Sequence, residues 1–530
     1  MQHFQSHLIK ILFLIYLLGD YAFSQEDQQC QPRQVRLIIG DDYTHYKNPN
    51  QIQNTATIIF QTYDQCINSR IKIFIKKNET LYLGIDGYRE IVHSKWNGEQ
   101  FCHNGKKCSK LYYDQYTHIF RLPVMMGVQF SYVVYGDSES QSRIFKSKLP
   151  DLVQEECNIQ KFLFFGDQDV SAQANSTFQS IKQLKQKGEL SFNERIESFI
   201  FLGDYGYEFY QNNGKKGDQY LDAVQEIIAE WPTVFSPGNH EEQYNFKFFN
   251  EKFQLPNFKQ TQNNYFSFNQ GQVHFVGVNL HYFSHWADNE NKLKMLQWLE
   301  DDLIIANQNR NQTPWIIAFG HKPIYCVQND DCSMSPFIYR QIDDLFYNYT
   351  VDLFLGSHVH YHELLKPMYR GSIQSYEGNL NEIKYPQGMI TVIQGNGGQE
   401  SEFQNDFKQN LKFQDRKNNR SFKVRYQVGY GILEVHDKNR ACIKVVNSQT
   451  NEAKDQYCIY SLHKFNRELL NTEPVEDYKQ HNKNKLLWRI FLLSILIIIS
   501  LIIIYRYLRF KEDNKNNDMQ YKYINQTSRI

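Results

Sequence analysis

Five short segments of the 530-residue chain each end an apolar run on side chains able to bind metals: Phe164-Phe165-Gly166-Asp167, Phe201-Leu202-Gly203-Asp204-Tyr205-Gly206-Tyr207, Pro237-Gly238-Asn239-His240-Glu241, Phe319-Gly320-His321 and Gly356-Ser357-His358-Val359-His360. Asp, Asn and Tyr offer hard oxygen donors and His an imidazole nitrogen, the donor mix of a catalytic cation site. Each segment alone is a common turn. Five in order, each closing an apolar run, point to one shared centre. A glycine precedes most of the donors and lets the backbone turn sharply as it leaves a strand.

Donors at the C-terminal ends of strands converge on one crevice in open α/β folds. That demands strands alternating with helices, and the chain after Cys157 has this rhythm, with helix-like stretches at Tyr220 to Glu230 and Leu293 to Asp302. The expected fold is therefore α/β, built of βαβ units around a mostly buried sheet. From Cys30 to about Pro150 short alternating runs such as Ile71-Lys72-Ile73-Phe74-Ile75 and Phe130-Ser131-Tyr132-Val133-Val134-Tyr135 predict a β-sandwich. No ligand cluster or nucleophile arrangement falls in it, so a packing or positioning role is expected there.

Lys plus Arg and Asp plus Glu both total 58, so the net charge of zero gives no field favouring nucleic acid. Lys10 followed by Ile11 to Leu18 and then Ala22-Phe23-Ser24 reads as a signal peptide, residues 1–24. Leu486 to Tyr505 is long enough, at ~1.5 Å per residue, to cross one bilayer core of ~30 Å, with Trp488 at the interface and Arg506, Arg509 and Lys511 after it. The expected organisation is a β-sandwich over 25–150, the α/β domain over 157–463, a polar stalk over 464–485, a transmembrane helix over 486–505 and a cytoplasmic tail over 506–530. It is that of a single-pass secretory-pathway protein at the cell surface or in an acidic lysosome- or vacuole-like compartment. Sequons at Asn78, Asn175, Asn311, Asn348 and Asn419 fit that route as glycosylation sites. Among nine cysteines, close spacing favours Cys102 with Cys108 and Cys326 with Cys332, and Cys442 with Cys458 could staple a terminal hairpin. Cys30, Cys66 and Cys157 leave one thiol odd, and no CxxC spacing suggests zinc or redox roles.

The ordered motifs resemble the metallophosphoesterase (calcineurin-like) superfamily and, within it, the purple acid phosphatases, whose pattern is DxG, GDxxY, GNHE, xxxH and GHxH. The likeness runs from about Asp167 to Val435, and the upstream strands resemble the family's fibronectin-type-III-like domain. The resemblance implies that Asp167, Asp204, Tyr207 and His360 hold Fe(III). Asp204 would bridge to a divalent Zn, Fe or Mn ion completed by Asn239, His321 and His358. It places His240 to touch the phosphate or protonate the leaving oxygen. Three departures stand out: Asp169 occupies the glycine of the first motif, Ser357 displaces a glycine in the last, and Ser333-Met334-Ser335 stands where relatives often carry a substrate-side histidine. His281 and His285 are the candidates to replace it.

The function implied is a membrane-anchored acid phosphatase, hydrolysing small phosphate monoesters by attack of a metal-bound hydroxide, since no protein nucleophile is positioned. A phosphodiesterase or nucleotidase on the same ligands is the enzymatic alternative. A non-catalytic adhesion or receptor protein that retains the fold is the alternative from another class. Oligomeric state is not legible.

Overall fold

The computed structural model describes residues 29–40, 56–77, 80–83, 88–96, 113–122, 129–149, 159–190, 195–283, 289–327, 339–399, 420–461 and 505–506. The signal peptide, the stalk, Leu486 to Tyr505 save its last residue, and the tail beyond Arg506 lie outside them. So do Asn78, Cys102, Cys108, Cys157, His285, Cys332 and Asn419. Among the described residues no helix is long and apolar enough to cross a membrane. The chain divides into two compact units, Met1–Lys464 and Phe465–Ile530, and the fold below is that of the first.

Eight strands come first: β1 (Arg33–Ile39), β2 (Ala56–Thr62), β3 (Arg70–Lys77), β4 (Thr80–Leu83), β5 (Tyr88–Trp96), β6 (Tyr113–Leu122), β7 (Gln129–Tyr135) and β8 (Phe145–Lys148). One antiparallel layer runs β5-β6-β2-β1 and the other β4-β3-β7-β8. Val35, Leu37, Ile58, Phe60, Ile73 and Tyr132 fill a core of their own between these layers. The alternating pattern of these segments makes such a sandwich, because period-two side chains put one face of each strand inside.

The α/β part contains β9 (Gln160–Phe165), α1 (Ala172–Leu190), β10 (Ser198–Phe201), α2 (Lys215–Ile228), β11 (Thr233–Phe235), α3 (Gln243–Lys252), β12 (Phe266–Gln270), β13 (Val273–Gly277), α4 (Asn289–Gln308), β14 (Trp315–Phe319), α5 (Arg340–Asn348), β15 (Leu353–Gly356) and β16 (His362–Leu365). Two short hairpins, β17 (Met368–Tyr369) with β18 (Ser372–Ile373) and β19 (Glu377–Gly378) with β20 (Glu382–Lys384), precede β21 (Ile390–Gln394), β22 (Ser421–Arg425), β23 (Gly429–Asp437), β24 (Arg440–Asn447) and β25 (Glu452–Tyr460). A seven-stranded sheet runs β12-β13-β14-β15-β21-β16-β22, and a twelve-stranded sheet runs β19-β20-β25-β24-β23-β9-β10-β11-β1-β2-β6-β5.

Periodicity does not reveal that the second sheet spans both parts of the chain. Strand β1 pairs in parallel with β11 at Ile38 and Thr233, so β11 is an interior strand. All but the first residue of β1 are buried, as two-sided packing requires. The two large sheets meet through Phe162 of β9, edge-on to Phe275 of β13 with ring centroids 4.9 Å apart.

Two disulfides are seen among the described residues. Cys442 and Cys458 face each other in register on β24 and β25. Cys30 bonds Cys66, a pair that spacing left unassigned, and Cys326 is also disulfide-bonded.

Candidate metal centre

Strands β9, β10 and β11 run parallel in one sheet, and β13, β14, β15 and β21 run parallel in the other. Asp167, Asp204 and Asn239 follow the C-terminal ends of β9, β10 and β11, while His321 and His358 follow β14 and β15. Packed aromatics link the strand ends: Phe201 lies 4.9 Å from both Phe165, edge-on, and Phe235, stacked. Beyond this platform the backbone departs from ordinary conformations. Asp167, Asp204, Tyr207, Glu208 and His358 all have positive φ, from 41° to 73°. Left-handed non-glycine residues persist where surrounding structure over-determines them, commonly at functional sites.

The donors gather in two adjoining groups. In the first, the Tyr207 hydroxyl lies 3.0 Å from both Asp167 Oδ1 and His360 Nε2, and His360 Nε2 lies 3.3 Å from Asp167 Oδ1. In the second, His321 Nε2 lies 2.9 Å from Asp204 Oδ2, 3.0 Å from Asn239 Oδ1 and 3.1 Å from His358 Nδ1. The His358 amide donates to Asp167 Oδ2 at 2.8 Å and ties the groups together. One ring nitrogen facing a carboxylate, an amide oxygen and a second imidazole has more lone pairs around it than a single proton can satisfy. A cation resolves that crowding, and ligand atoms of Asp204, His321 and His358 lie within 4.8 Å of one another. The seven donors therefore fit a metal centre in number, type and placement.

Supporting contacts aim these donors. His321 Nδ1 lies 2.9 Å from the Leu202 carbonyl, which leaves Nε2 for the centre. Ser357, the displaced-glycine position, contacts the same Leu202 carbonyl and lies 2.9 Å from His321 Nδ1. Gly238 is required by contact, since a Cβ there would fall 2.1 Å from Asp204 Oδ1. Burial alone would raise Asp204, but His321 and His240 hold it well below the usual carboxylate range. Burial lowers His358 well below its ordinary value, and His321 adds to this.

His240 stands at the edge. Its amide donates to Asp204 Oδ1 at 2.9 Å, and its ring lies 4.2 Å from that of Tyr207. Nδ1 is 2.8 Å from Glu208 Oε1, and Nε2 is 3.7 Å from Asp204 Oδ2. Burial pulls this imidazole down, yet Asp204 and Glu208 outweigh it and raise His240 to about 9. Glu208 went unnoticed in the sequence; a carboxylate directly after the motif tyrosine was its one signal.

The departures resolve differently. Asp169 Oδ1 accepts the Ser171 amide at 2.7 Å, ahead of α1. His281 is brought beside the centre, its ring 5.7 Å from that of His321 and its Nδ1 3.7 Å from Glu242. Burial and Lys322 keep it well below its ordinary value, and a neutral ring offers no acidic proton of the kind a leaving group needs. His285 and Ser333 to Ser335 lie outside the described residues. Asn175, Asn311 and Asn348 are exposed.

Residues 160–362 match the calcineurin-like phosphoesterase family. The chain is similar to acid phosphatase type 7 of Homo sapiens, 33% identical over 220 residues that make up 38% of this chain and 48% of the relative. It is also similar to the Danio rerio acid phosphatase type 7, 30% identical over 255 residues (45% and 55% of the two chains), and to purple acid phosphatase 23 of Arabidopsis thaliana, 27% identical over 191 residues (35% and 38%). The chain thus spans about half the length of the acid phosphatase type 7 relatives. A purple acid phosphatase from yellow lupin (Lupinus luteus) seeds shares the fold, with a TM-score of 0.61 at 17% identity over 81% of this chain and 74% of that one. In its five motif loops and across residues 160–362 the chain is thus similar to the calcineurin-like phosphoesterase family, and the relatives it resembles there include purple acid phosphatases.

Proposed function

We propose that this chain is a binuclear-metal acid phosphatase that hydrolyses small phosphate monoesters. The carrying observation is the meeting of seven donors in two adjoining groups with the His240 ring at their edge. Asp167, Tyr207 and His360 would hold a ferric ion, Asn239, His321 and His358 a divalent Zn, Fe or Mn ion, and Asp204 both. Such ions supply Lewis acidity toward the phosphoryl group and an activated water. Tyr207 suits the trivalent ion because a phenolate is a hard, charged oxygen donor.

The chain's own residues do the rest. Leu202 and Ser357 hold the His321 ring, the His358 amide holds Asp167, and Glu208 and Asp204 hold His240 with its proton available to the departing oxygen. The signal peptide, Leu486 to Tyr505 and the exposed sequons support a membrane-anchored enzyme with this domain on the non-cytoplasmic side. Purification of the protein without residues 486–530, with metal analysis and an assay on phosphate monoesters and diesters, tests the reading. Two metals per chain with monoester turnover are expected. A diester preference would favour the phosphodiesterase alternative, and a metal-free, inactive protein would favour an adhesion or receptor role.

A further inference from the structure

We propose that Glu241 is a positioning residue whose one carboxylate locks the loop bearing Asp204 to the loop bearing Asn239 and His240, and so sets the metal affinity of the centre. This rests on the metal-centre reading above. The residue is buried, 2% exposed. Oε2 accepts the amides of Asp204 at 2.9 Å and Gly238 at 2.7 Å, and Oε1 accepts the amide of Tyr205 at 2.8 Å. Asp204 and Tyr205 belong to the loop after β10, whereas Gly238 belongs to the loop after β11. A single side chain therefore supplies the acceptors that these left-handed and close-packed turns cannot find in the sheet ladder.

The choice of a carboxylate is informative. Two oxygens facing three N–H donors leave no place for an amide, because the NH₂ of Gln would confront at least one backbone donor. Among the described residues Glu241 pairs with no Lys or Arg, and both of its oxygens are taken by backbone amides. An apolar side chain in its place would leave the amides of Asp204, Tyr205 and Gly238 without these acceptors, so the lock requires the two oxygens. Glu241 thereby holds the backbone of Asp204 and of the residue before Asn239, and side chains that orient metal ligands from behind typically contribute 10- to 100-fold in affinity or activity.

The test compares the metal-depleted full chain with Glu241→Gln and with Asp302→Asn. Asp302 is a buried carboxylate outside the centre, 2.9 Å from His274 and 2.5 Å from Ser267. Calorimetric titration with Zn²⁺, alongside thermal melting of the metal-free proteins, should find affinity lowered about 10- to 100-fold by Glu241→Gln. Asp302→Asn should leave affinity near that of the parent even where it lowers the melting temperature as much. Parental affinity in Glu241→Gln, or losses in both variants that track melting temperature, would overturn the proposal while leaving the metal centre intact. A parent chain that binds no divalent ion would instead overturn the metal-centre reading and this inference with it. If Glu241→Gln does not fold, hydrogen exchange on the metal-free parent decides: slow exchange at the Asp204, Tyr205 and Gly238 amides is expected, and fast exchange at all three refutes the lock.

Discussion

His240 presents its two ring nitrogens to two different carboxylates, Nδ1 to Glu208 at 2.8 Å and Nε2 toward Asp204 at 3.7 Å. A carboxylate on Nδ1 fixes the ring plane and leaves Nε2 turned to the donors, as metal-site and hydrolase histidines require. Glu208→Ala should therefore keep both metals and lower kcat about 10- to 100-fold, while Glu208→Gln, which retains an acceptor, should lose less. Metal analysis beside steady-state kinetics checks this. Unchanged kcat in Glu208→Ala would mean that His240 needs no such support.

Metal holding and proton transfer separate in two single variants. His358→Ala removes a donor within 3.1 Å of His321, so divalent content and activity should fall together. His240→Ala should retain about two metals and lose roughly 100- to 10,000-fold in rate, the usual worth of a general acid. The loss should be larger for alkyl than for aryl phosphates, because a good leaving group needs little protonation. Equal losses on both would assign His240 to phosphate positioning.

Colour reports the first donor group. The Tyr207 hydroxyl meets Asp167 and His360, and a tyrosinate on Fe(III) absorbs visible light by charge transfer. The oxidised, iron-loaded protein should be purple or pink, and Tyr207→Phe should bleach it. Colourless protein with full iron occupancy would count against Tyr207 as a ligand.

Acid sensitivity should trace in part to His362, buried at the start of β16 with Nδ1 2.9 Å from Gln394 and its ring against Tyr457. Burial lowers its pKa from 6.5 to about 4. The folded chain therefore keeps this ring neutral while the unfolded chain takes up a proton near pH 6.5. The stabilisation is complete above about pH 6.5 and is lost as pH falls toward 4, by roughly 3 kcal/mol at about 1.36 kcal/mol per tenfold change. Denaturant titrations of metal-depleted protein at pH 7.5 and 4.5 should show a smaller loss for His362→Gln than for the parent. The same loss in both would exonerate His362.

Topology can be checked directly. Expression in a secretory host without residues 486–530 should release a soluble glycoprotein, its mass reduced by enzymatic deglycosylation at the exposed Asn175, Asn311 and Asn348. Retention of that protein in the membrane fraction would contradict a single C-terminal anchor.

Much of the site is legible in the chain because its parts are local. An apolar run followed by Gly-Asp or Gly-Asn-His states both a strand and the donor that leaves it, and that holds at Asp167, Asp204, Asn239 and His321. Helix α2 and helix α4 likewise follow from apolar spacing on one face. Glu208, Glu241 and Ser357 are not legible in this way. Ser357 meets a carbonyl 155 residues away, and Glu241 meets amides 36 and 37 residues away, so no spacing rule announces either. The pairing of Cys30 with Cys66, 36 residues apart, is equally a matter of which strands lie side by side.

By itself the sequence determined the donors, their order and the strands that deliver them, since hydrophobic periodicity and turn chemistry act over a few residues. Tertiary structure alone decided that β1 joins β11 in one continuous sheet and that Glu208 faces His240. It also decided that Asp169 supports the entry to α1 and that His281 is buried neutral beside His321. These depend on long-range packing, where burial and the nearest partner, rather than the residue's type, set what a side chain can do.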